Sequence, residues 1–291
     1  MLKERYMNPF TDFGFKKLFG SEANKDLLIH FLNSLLPPQH QIIDLSYTPN
    51  ERLGSLELDR RAIFDLYCTG SNGDRFIVEL QKAKQNYFKD RSVFYASFPI
   101  QEQAKKGNWN FQLSAVYLIG LLDFVFREEE LETSLRHEVQ LKDQRDRVFF
   151  EKLTFIYLEI PNFKRKESEL EGNFDKWLYA LQQMPDLYER PSNFKEEVFK
   201  KLFEVSEIAR FSLDEQGGYA ESRRVYQDLK NAMETSYGEG LHTGMERGLK
   251  LGREQGKQEL VRKMLKAGVA RASILEALGW SSEELTEWLG I

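Results

Sequence analysis

One stretch, Phe64 to Lys82, constrains the fold of this chain more than any other part of its sequence. It reads FDLYCTGSNGDRFIVELQK, two runs rich in β-branched and aromatic residues joined by Ser71-Asn72-Gly73-Asp74. An Asn-Gly pair between such runs predicts an antiparallel hairpin. Each run carries one carboxylate, Asp65 or Glu79, among residues typical of a sheet core. Acidic side chains are rarely buried in a sheet core, so the presence of two of them here has to be explained.

The remainder of the first half predicts an α/β fold. A helical pattern runs from Asp12 to Leu35 and ends at Pro37-Pro38. The later segments predict two strands within Gln41–Gly70, a strand at Arg75–Lys82, a helix at Tyr87–Lys106 disturbed by Pro99, and buried strands at Gln112–Phe126 and Leu153–Ile160. This order implies a mixed central sheet flanked by helices.

The second half has only helical periodicity. The predicted helices are Phe174–Met184, Phe194–Phe211 and Tyr219–Tyr237, separated by Pro185, Pro191 and Gly217-Gly218. Charge is dense and apolar residues are few between Pro161 and Gly172. We therefore expect a sheet-bearing core at 1–165, a helical extension at 166–237 and a tail at 238–291.

The tail begins with five glycines at intervals of four residues, Gly240, Gly244, Gly248, Gly252 and Gly256. On an α-helix they form one stripe, and each costs about 1 kcal/mol relative to alanine. Close packing against another helix, such as that of a second subunit, would offset this cost. The alternative is a mobile or partly helical tether. The many charged residues between the glycines exclude a membrane helix pair.

The last residues predict three short helices with breaks at Gly268 and Gly279, a layout similar to a helix-turn-helix. The segment in the place of a recognition helix, Ser281 to Trp288, holds three glutamates and no basic residue. Such a helix would repel the DNA backbone. We therefore favour a protein-interaction or capping role for it.

Charge and composition narrow the class of protein. The 291 residues carry a net charge of −5, which argues against a surface that grips nucleic acid over its whole extent. A local basic patch remains an option, and its alternative is a solvated helix face; its residues would be Lys82, Lys84, Lys89, Arg91, Lys105 and Lys106. The single Cys68 suits a reducing compartment, and the longest apolar run is too short for a membrane helix. We expect a cytoplasmic protein.

The hairpin loop decides how close the two carboxylates lie. A loop of odd length centred on Asn72 places Asp65 opposite Glu79, with their Cβ atoms roughly 5 Å apart. A two-residue Asn-Gly turn instead pairs Asp65 with Leu80 and leaves the acids diagonal. Opposed carboxylates repel unless a cation lies between them, and Mg²⁺ prefers such oxygen ligands. The bland alternative is a pair of solvent-facing acids satisfied by nearby lysines.

Asp65, the hairpin and Glu79-Leu80-Gln81 together resemble the Asp…Glu-x-Lys signature of PD-(D/E)XK nucleases, in the variant with glutamine in place of lysine. The wider chain resembles the recombination-promoting nuclease / putative transposase family, closely over about Asn8 to Phe126 and loosely in the tail. The segments that carry this likeness are TDFGFKKLFG (Thr11–Gly20), NKDLLIHFLNSLL (Asn24–Leu36), DRRAIFDLYCTGSNGDRFIVELQKA (Asp59–Ala83) and YFKDRSVFYAS (Tyr87–Ser97).

The resemblance implies a PD-(D/E)XK nuclease fold and a metal-dependent DNA endonuclease serving recombination, transposition or phage defence. It implies that Asp65, Glu79 and the backbone carbonyl of Leu80 bind Mg²⁺, for which Mn²⁺ could substitute, and that Gln81 orients the attacking water. Glutamine cannot supply the positive charge of the usual lysine. Candidates for that charge are Lys16, Lys17, Lys84 and Arg91, while strand alternation directs Lys82 to the opposite face. Asp12 and Asp59 are candidate outer acids, with a structural role as helix cap and strand end as the alternative.

Two functions from different classes remain. The first is this Mg²⁺-dependent deoxyribonuclease, working as a homodimer if the glycine stripe pairs two helices. The second is a catalytically inactive nuclease-fold module that binds protein or DNA partners. The sequence offers no zinc site, no phosphate-binding Gly-Lys-Ser loop and no base for a serine or cysteine nucleophile, which argues against those enzyme classes.

Overall fold

A mixed β-sheet forms the centre of the fold in the computed structural model, which describes residues 4–48, 51–52, 62–105, 107–126 and 134–289. The strands are β1 Leu45–Tyr47, β2 Glu51–Arg52, β3 Ala62–Ile63, β4 Leu66–Gly70, β5 Arg75–Gln81, β6 Val116–Leu122, β7 Arg136–Lys142 and β8 Val148–Glu159. Six of them pair in the order β1-β4-β5-β6-β8-β7, and β2 pairs separately with β3. The central strands β5, β6 and β8 are parallel, and the outer ones are antiparallel.

Helices flank this sheet, which confirms the predicted α/β class. Their bounds are α1 Asp12–Phe19, α2 Lys25–Asn33, α3 Phe88–Gln101, α4 Gly172–Gln183, α5 Glu197–Ser206, α6 Leu213–Lys266, α7 Arg271–Leu278 and α8 Ser282–Leu289. Thr11 begins α1 as its N-cap, since its hydroxyl accepts a hydrogen bond from the Gly14 N–H at 3.0 Å.

The β4–β5 hairpin closes through an odd-numbered loop. Gly73 has a φ of 89°, which suits glycine at the third loop position, and the Gly70 N–H donates to the Asp74 carbonyl at 2.9 Å. Leu66 pairs with Val78 in the resulting register. The loop centred on Asn72 is therefore confirmed, and the alternative two-residue turn is wrong.

Strand alternation gives the hairpin two different faces. Leu66, Cys68 and Val78 join the larger hydrophobic cluster, together with buried residues of α1, α2, α4 and α5. Tyr67 and Ile77 point the other way and join the smaller cluster, where Phe88 and Ala96 of α3 cover them. Four helices thus supply the packing on one face of the sheet, and α3 supplies it on the face that Glu79 shares.

Three predictions about elements differ from the structure. The strand β7 was not predicted, although RHEVQLK alternates polar residues with His137, Val139 and Leu141, and β8 begins five residues earlier than the predicted Leu153. Gly217-Gly218 does not separate two helices, since α6 runs through both. A Cβ at Gly218 would lie 3.3 Å from the Phe13 ring, so the glycine permits close packing here rather than a break.

The chain divides into two compact units between Gln227 and Asp228. In the first unit, α4 and α5 share the larger cluster with the sheet, and the boundaries predicted at 165 and 237 stay predictions. The second unit is helical through all five spaced glycines and has a small core of Val261, Ile274 and Leu285. Its breaks at Gly268 and Gly279, with φ of 82° and 68°, lie where the sequence predicts them. Among the described helices, none combines the length and apolar character needed to cross a bilayer.

Candidate active site

The hairpin brings Asp65 and Glu79 together. Asp65 directly precedes β4, and continuing the register of Leu66 with Val78 places it opposite Glu79. The Asp65 N–H donates to Glu79 Oε1 at 3.3 Å, and Asp65 Oδ2 accepts from the Leu80 N–H at 2.7 Å. Glu79 is only 6% exposed. The two acids therefore do not form the alternative arrangement, in which both face solvent and pair with nearby lysines.

Burial makes this pair electrostatically costly. Removal from water raises the pKa of Glu79 to about 8, and the negative charge of Asp65 adds to the shift. Burial likewise raises the pKa of Asp65, although the hydrogen bond from Leu80 opposes the change. Two carboxyl groups so placed cannot both ionise cheaply without a nearby cation. The site thus has the electrostatics of a cation-binding site.

The backbone of Leu80 faces the same acids. Its N–H points to Asp65, and in an extended strand the N–H and C=O of one residue point to the same side. The N–H of Asp123 donates to the Gln81 carbonyl at 2.8 Å, so the next carbonyl along β5 faces β6 instead. The Leu80 carbonyl is therefore directed to the side on which Asp65 lies.

Gln81 links the acids to a positive charge. Its Nε2 donates to Glu79 Oε2 at 3.3 Å, and its Oε1 accepts from Arg91 Nη2 at 2.6 Å. The charge of Arg91 lowers the pKa of Glu79, against the larger effect of burial. Of the cations considered from the sequence, Arg91 is the one hydrogen-bonded to the signature residues. The amide that replaces the lysine thus lies between a guanidinium and a carboxylate.

Helix α3 holds Arg91 in place. Its guanidinium lies 5.6 Å from the ring centroid of Phe88 and 5.8 Å from that of Tyr95, and Nη1 donates to Gln85 Oε1. Spacings of three and four residues put these rings beside Arg91 on one helix face. An arginine fixed by two rings and two amides keeps little freedom, so its charge is pre-positioned.

The other candidates lie around this group or away from it. Lys82 binds Asp12 of α1, with 2.6 Å between Nζ and Oδ1, which agrees with its predicted orientation to the opposite face. Burial is the largest influence on the pKa of Asp65 and raises it; the charge of Asp12 adds to this rise, and the charges of Lys16 and Lys82 oppose it. Lys17 pairs instead with Glu215. Asp59 lies outside the described residues.

Two residues near the site were not predicted from the sequence. Asp123 follows β6, and besides its backbone contact with Gln81 its Oδ2 accepts from the Tyr226 hydroxyl at 2.6 Å. Tyr95 has a raised pKa, mainly from burial and further from the charge of Glu79. An acid that directly follows a buried strand was a usable signal for Asp123. Nothing in the local sequence marks Tyr95.

The donors present fit a small divalent cation. Two carboxylates and one carbonyl are hard oxygen ligands of the kind that Mg²⁺ binds alongside water and substrate phosphate. Burial raises the pKa of both acids, so a bound cation would favour their ionised forms. Within the described part of the chain, no three His, Cys, Asp or Glu side chains form a cluster that could hold a metal. Any metal site at this hairpin therefore depends on the carbonyl and on water.

Comparison with known proteins agrees with this geometry. A family model described as PD-(D/E)XK nuclease family transposase matches residues 9–236, which includes the whole sheet and α1 to α5. No curated protein and no solved structure matches the chain. The order of acid, hairpin and Glu-x-Gln on a mixed sheet is the arrangement expected for that family. The chain belongs to the PD-(D/E)XK nuclease family transposases.

Proposed function

We propose that this protein is a divalent-cation-dependent DNA endonuclease that hydrolyses phosphodiester bonds at the β4–β5 hairpin. The observation that carries the proposal is the continuous chain of hydrogen bonds from Arg91 through Gln81 and Glu79 to Asp65. It joins the buried Glu79 and the backbone N–H of half-buried Asp65 to one fixed positive charge. Such an arrangement suits a reaction in which an anionic phosphate meets a cation and a polarised water.

Each residue has a distinct role in this proposal. Asp65, Glu79 and the Leu80 carbonyl hold Mg²⁺, and Mn²⁺ can take its place. When bound, the ion lowers the pKa of a coordinated water and neutralises charge on the phosphodiester. Gln81 uses one amide N–H on Glu79 and can direct the other to the attacking water. Arg91 supplies the positive charge that the family lysine otherwise provides.

The test is nicking of supercoiled plasmid by full-length protein with and without Mg²⁺. Wild type should nick the plasmid only with the metal, and Asp65→Asn should lose at least about a hundredfold in rate. The matched control is Asp44→Asn, an exposed acid paired with Lys25 at 2.9 Å, which should cleave like wild type. Equal nicking by wild type and Asp65→Asn would mean contamination and would favour the inactive-module alternative.

We also propose that α6 pairs with α6 of a second copy to form a homodimer. Tyr237, Leu241, Met245 and Leu249 recur every four residues and are all more than half exposed. They adjoin the glycine stripe, where an added Cβ would meet nothing within 4 Å. Sedimentation should show that Gly244→Leu lowers the mass while Gly238→Leu, off the stripe, leaves it unchanged. An unchanged mass in both variants would contradict the dimer.

A further inference from the structure

An aromatic stripe runs along α3 from the candidate active site to the surface. It begins at Tyr87, which directly precedes α3 as its N-cap, and continues with Arg91, Phe94 and Phe98, whose spacing of three and four residues puts these three on one helix face. Tyr87 is 79% exposed and Phe94 is 44% exposed. The rings of Phe94 and Phe98 meet edge to face at 5.0 Å. Packing of the core does not require rings at the exposed end of this stripe.

The stripe is continuous with the catalytic residues. Arg91 in its middle binds Gln81, and Phe98 at its far end lies 6.3 Å from the ring of Phe64. Phe64 directly precedes Asp65, and Tyr95 packs edge-on against it at 5.2 Å. A ligand on the stripe would therefore lie beside the two acids.

Tyr87 has an unfavourable backbone conformation for an exposed ring. Its φ is 60°, in the left-handed region where glycine and asparagine are easiest and a tyrosine is strained. Backbone strain of this kind is unfavourable and concentrates at functional sites. The side chain places an aromatic face in solvent at the start of α3. Asparagine would satisfy the same backbone without a ring.

The charge around the stripe suits a polyanion. Lys84 and Lys89 are exposed, and Lys89 Nζ lies 5.2 Å from the centroid of the Phe126 ring. Asp90 is the acid that lies among them in sequence. Exposed rings interleaved with cations are how proteins bind single-stranded nucleic acid, because bases stack on the rings while phosphates meet the cations. A paired duplex keeps its bases stacked inside and cannot use these rings.

We infer that Tyr87 and Phe94 stack unpaired bases of the DNA substrate, so that the preferred substrate is single-stranded or locally melted DNA. This inference rests on the proposed function for its placement beside the scissile phosphate. Tyr87 directly precedes α3 and Phe94 is the seventh residue of that helix, so their backbones lie roughly 10 Å apart along the axis and each ring can take its own base. Arg91, between them, is placed to meet the intervening phosphate as well as Gln81.

The test measures binding by full-length protein of a fluorescently labelled single-stranded deoxyoligonucleotide, without divalent cation. Tyr87→Asn keeps the left-handed backbone and removes the ring, and should weaken binding about tenfold. Tyr87→Trp should bind as tightly as wild type. Tyr188→Asn is the matched control, since Tyr188 is 67% exposed away from α3, and it should not change affinity. Wild type should bind a duplex or an abasic strand more weakly, without dependence on residue 87.

Several outcomes would overturn the inference. It is wrong if the Tyr87→Asn variant binds single-stranded DNA with the affinity of wild type or of Tyr87→Trp. It is also wrong if Tyr87→Asn loses affinity equally for single-stranded, duplex and abasic DNA. Tighter binding of the matching RNA strand would overturn the assignment to DNA. The two proposals fail separately, because plasmid nicking tests the acids and metal-free binding tests the rings. Nicking without ring-dependent binding contradicts only this inference, and ring-dependent binding without metal-dependent nicking contradicts only the nuclease.

Discussion

The two faces of the β4–β5 hairpin differ in what they bury. One face contributes Leu66, Cys68 and Val78 to a cluster filled by the apolar residues of four helices. The other contributes Tyr67 and Ile77 to a smaller cluster, and then Glu79 and Gln81 at 6% and 7% exposure. Residues adjacent in sequence thus enter opposite environments, one apolar and one charged.

The difference shows how one short strand can serve stability and chemistry together. The apolar face lowers the free energy of folding by burial from water. The charged face costs free energy, because buried Glu79 and half-buried Asp65 lie close together and burial outweighs the opposing charge of Arg91 on Glu79. Substitutions on the apolar face should therefore lower stability and spare activity, and substitutions on the charged face should lower activity and raise stability.

Replacing Glu79 should give the largest effect. Glu79→Gln removes one buried charge, so cleavage should fall by at least about a thousandfold. With a chelator present, stability should rise instead. The folded-state pKa of about 8 lies above the unfolded value, so wild-type stability falls as the pH rises from about 4.5 through 8. The variant should lose this slope and be about 1–2 kcal/mol more stable than wild type at pH 9.

Urea denaturation at pH 5 and pH 9 measures both proteins. Glu138→Gln is the control, an exposed acid of β7 whose pairing with Arg136 should be worth less than about 0.5 kcal/mol. If the wild-type protein has the same free energy of unfolding at both pH values, the burial of these acids does not lower its stability.

A cavity on the apolar face should do the reverse. Phe31 is fully buried, with its ring 5.4 Å from Phe19 and 5.6 Å from Trp177. Phe31→Ala should lower the free energy of unfolding by about 3–5 kcal/mol and leave the cleavage rate per folded molecule unchanged. Ile43→Ala, at an 88% exposed position, should change stability by less than about 0.5 kcal/mol. A small loss for Phe31→Ala would contradict the division between the faces.

Arg91 tests whether the charged face depends on α3. Arg91→Lys keeps the charge but cannot span Gln81 and Gln85, so plasmid nicking should slow about tenfold, and Arg91→Met should slow it about a hundredfold. Arg224→Met is the control, an exposed arginine of α6 that pairs with Glu221. If Arg91→Lys nicks plasmid at the wild-type rate, the positive charge alone is needed. If Arg91→Met also nicks at the wild-type rate, Arg91 has no role in cleavage.

The smallest effect concerns a histidine on the apolar side. His30 Nδ1 accepts from Trp177 Nε1 at 2.8 Å, and burial lowers the pKa of His30. The unfolded chain binds the proton more readily, so stability should fall as the pH drops below about 6.5, by less than about 1 kcal/mol after solvent screening. His30→Gln should remove this acid-side loss in thermal melts at pH 5 and 7.5, and the exposed His242→Gln should not. An unchanged slope would contradict the assignment.

Much of the hairpin was predictable because turn chemistry and alternation are local. The Asn72-Gly73 pair predicts the hairpin but allows two loop lengths, and the observed loop centred on Asn72 places Asp65 opposite Glu79. The edge strand β7 was missed although RHEVQLK alternates polar residues with His137, Val139 and Leu141, which is a usable strand signal; its pairing with β8 was beyond local pattern. Gly217-Gly218 likewise looked like a break until the packing of Phe13 against Gly218 was known.

By itself, the sequence determined the fold class, the hairpin that carries both acids and the glutamine in the place of the family lysine. These follow from interactions over a few residues, which a chain encodes directly. Only the tertiary structure decided that Asp65 lies opposite Glu79 and that Arg91 is hydrogen-bonded to Gln81. Arg91 is ten residues from Gln81 in sequence, and its contact requires α3 to fold back over the sheet, where Phe88 and Tyr95 fix the guanidinium. Long-range packing sets that distance, and no local pattern reports it.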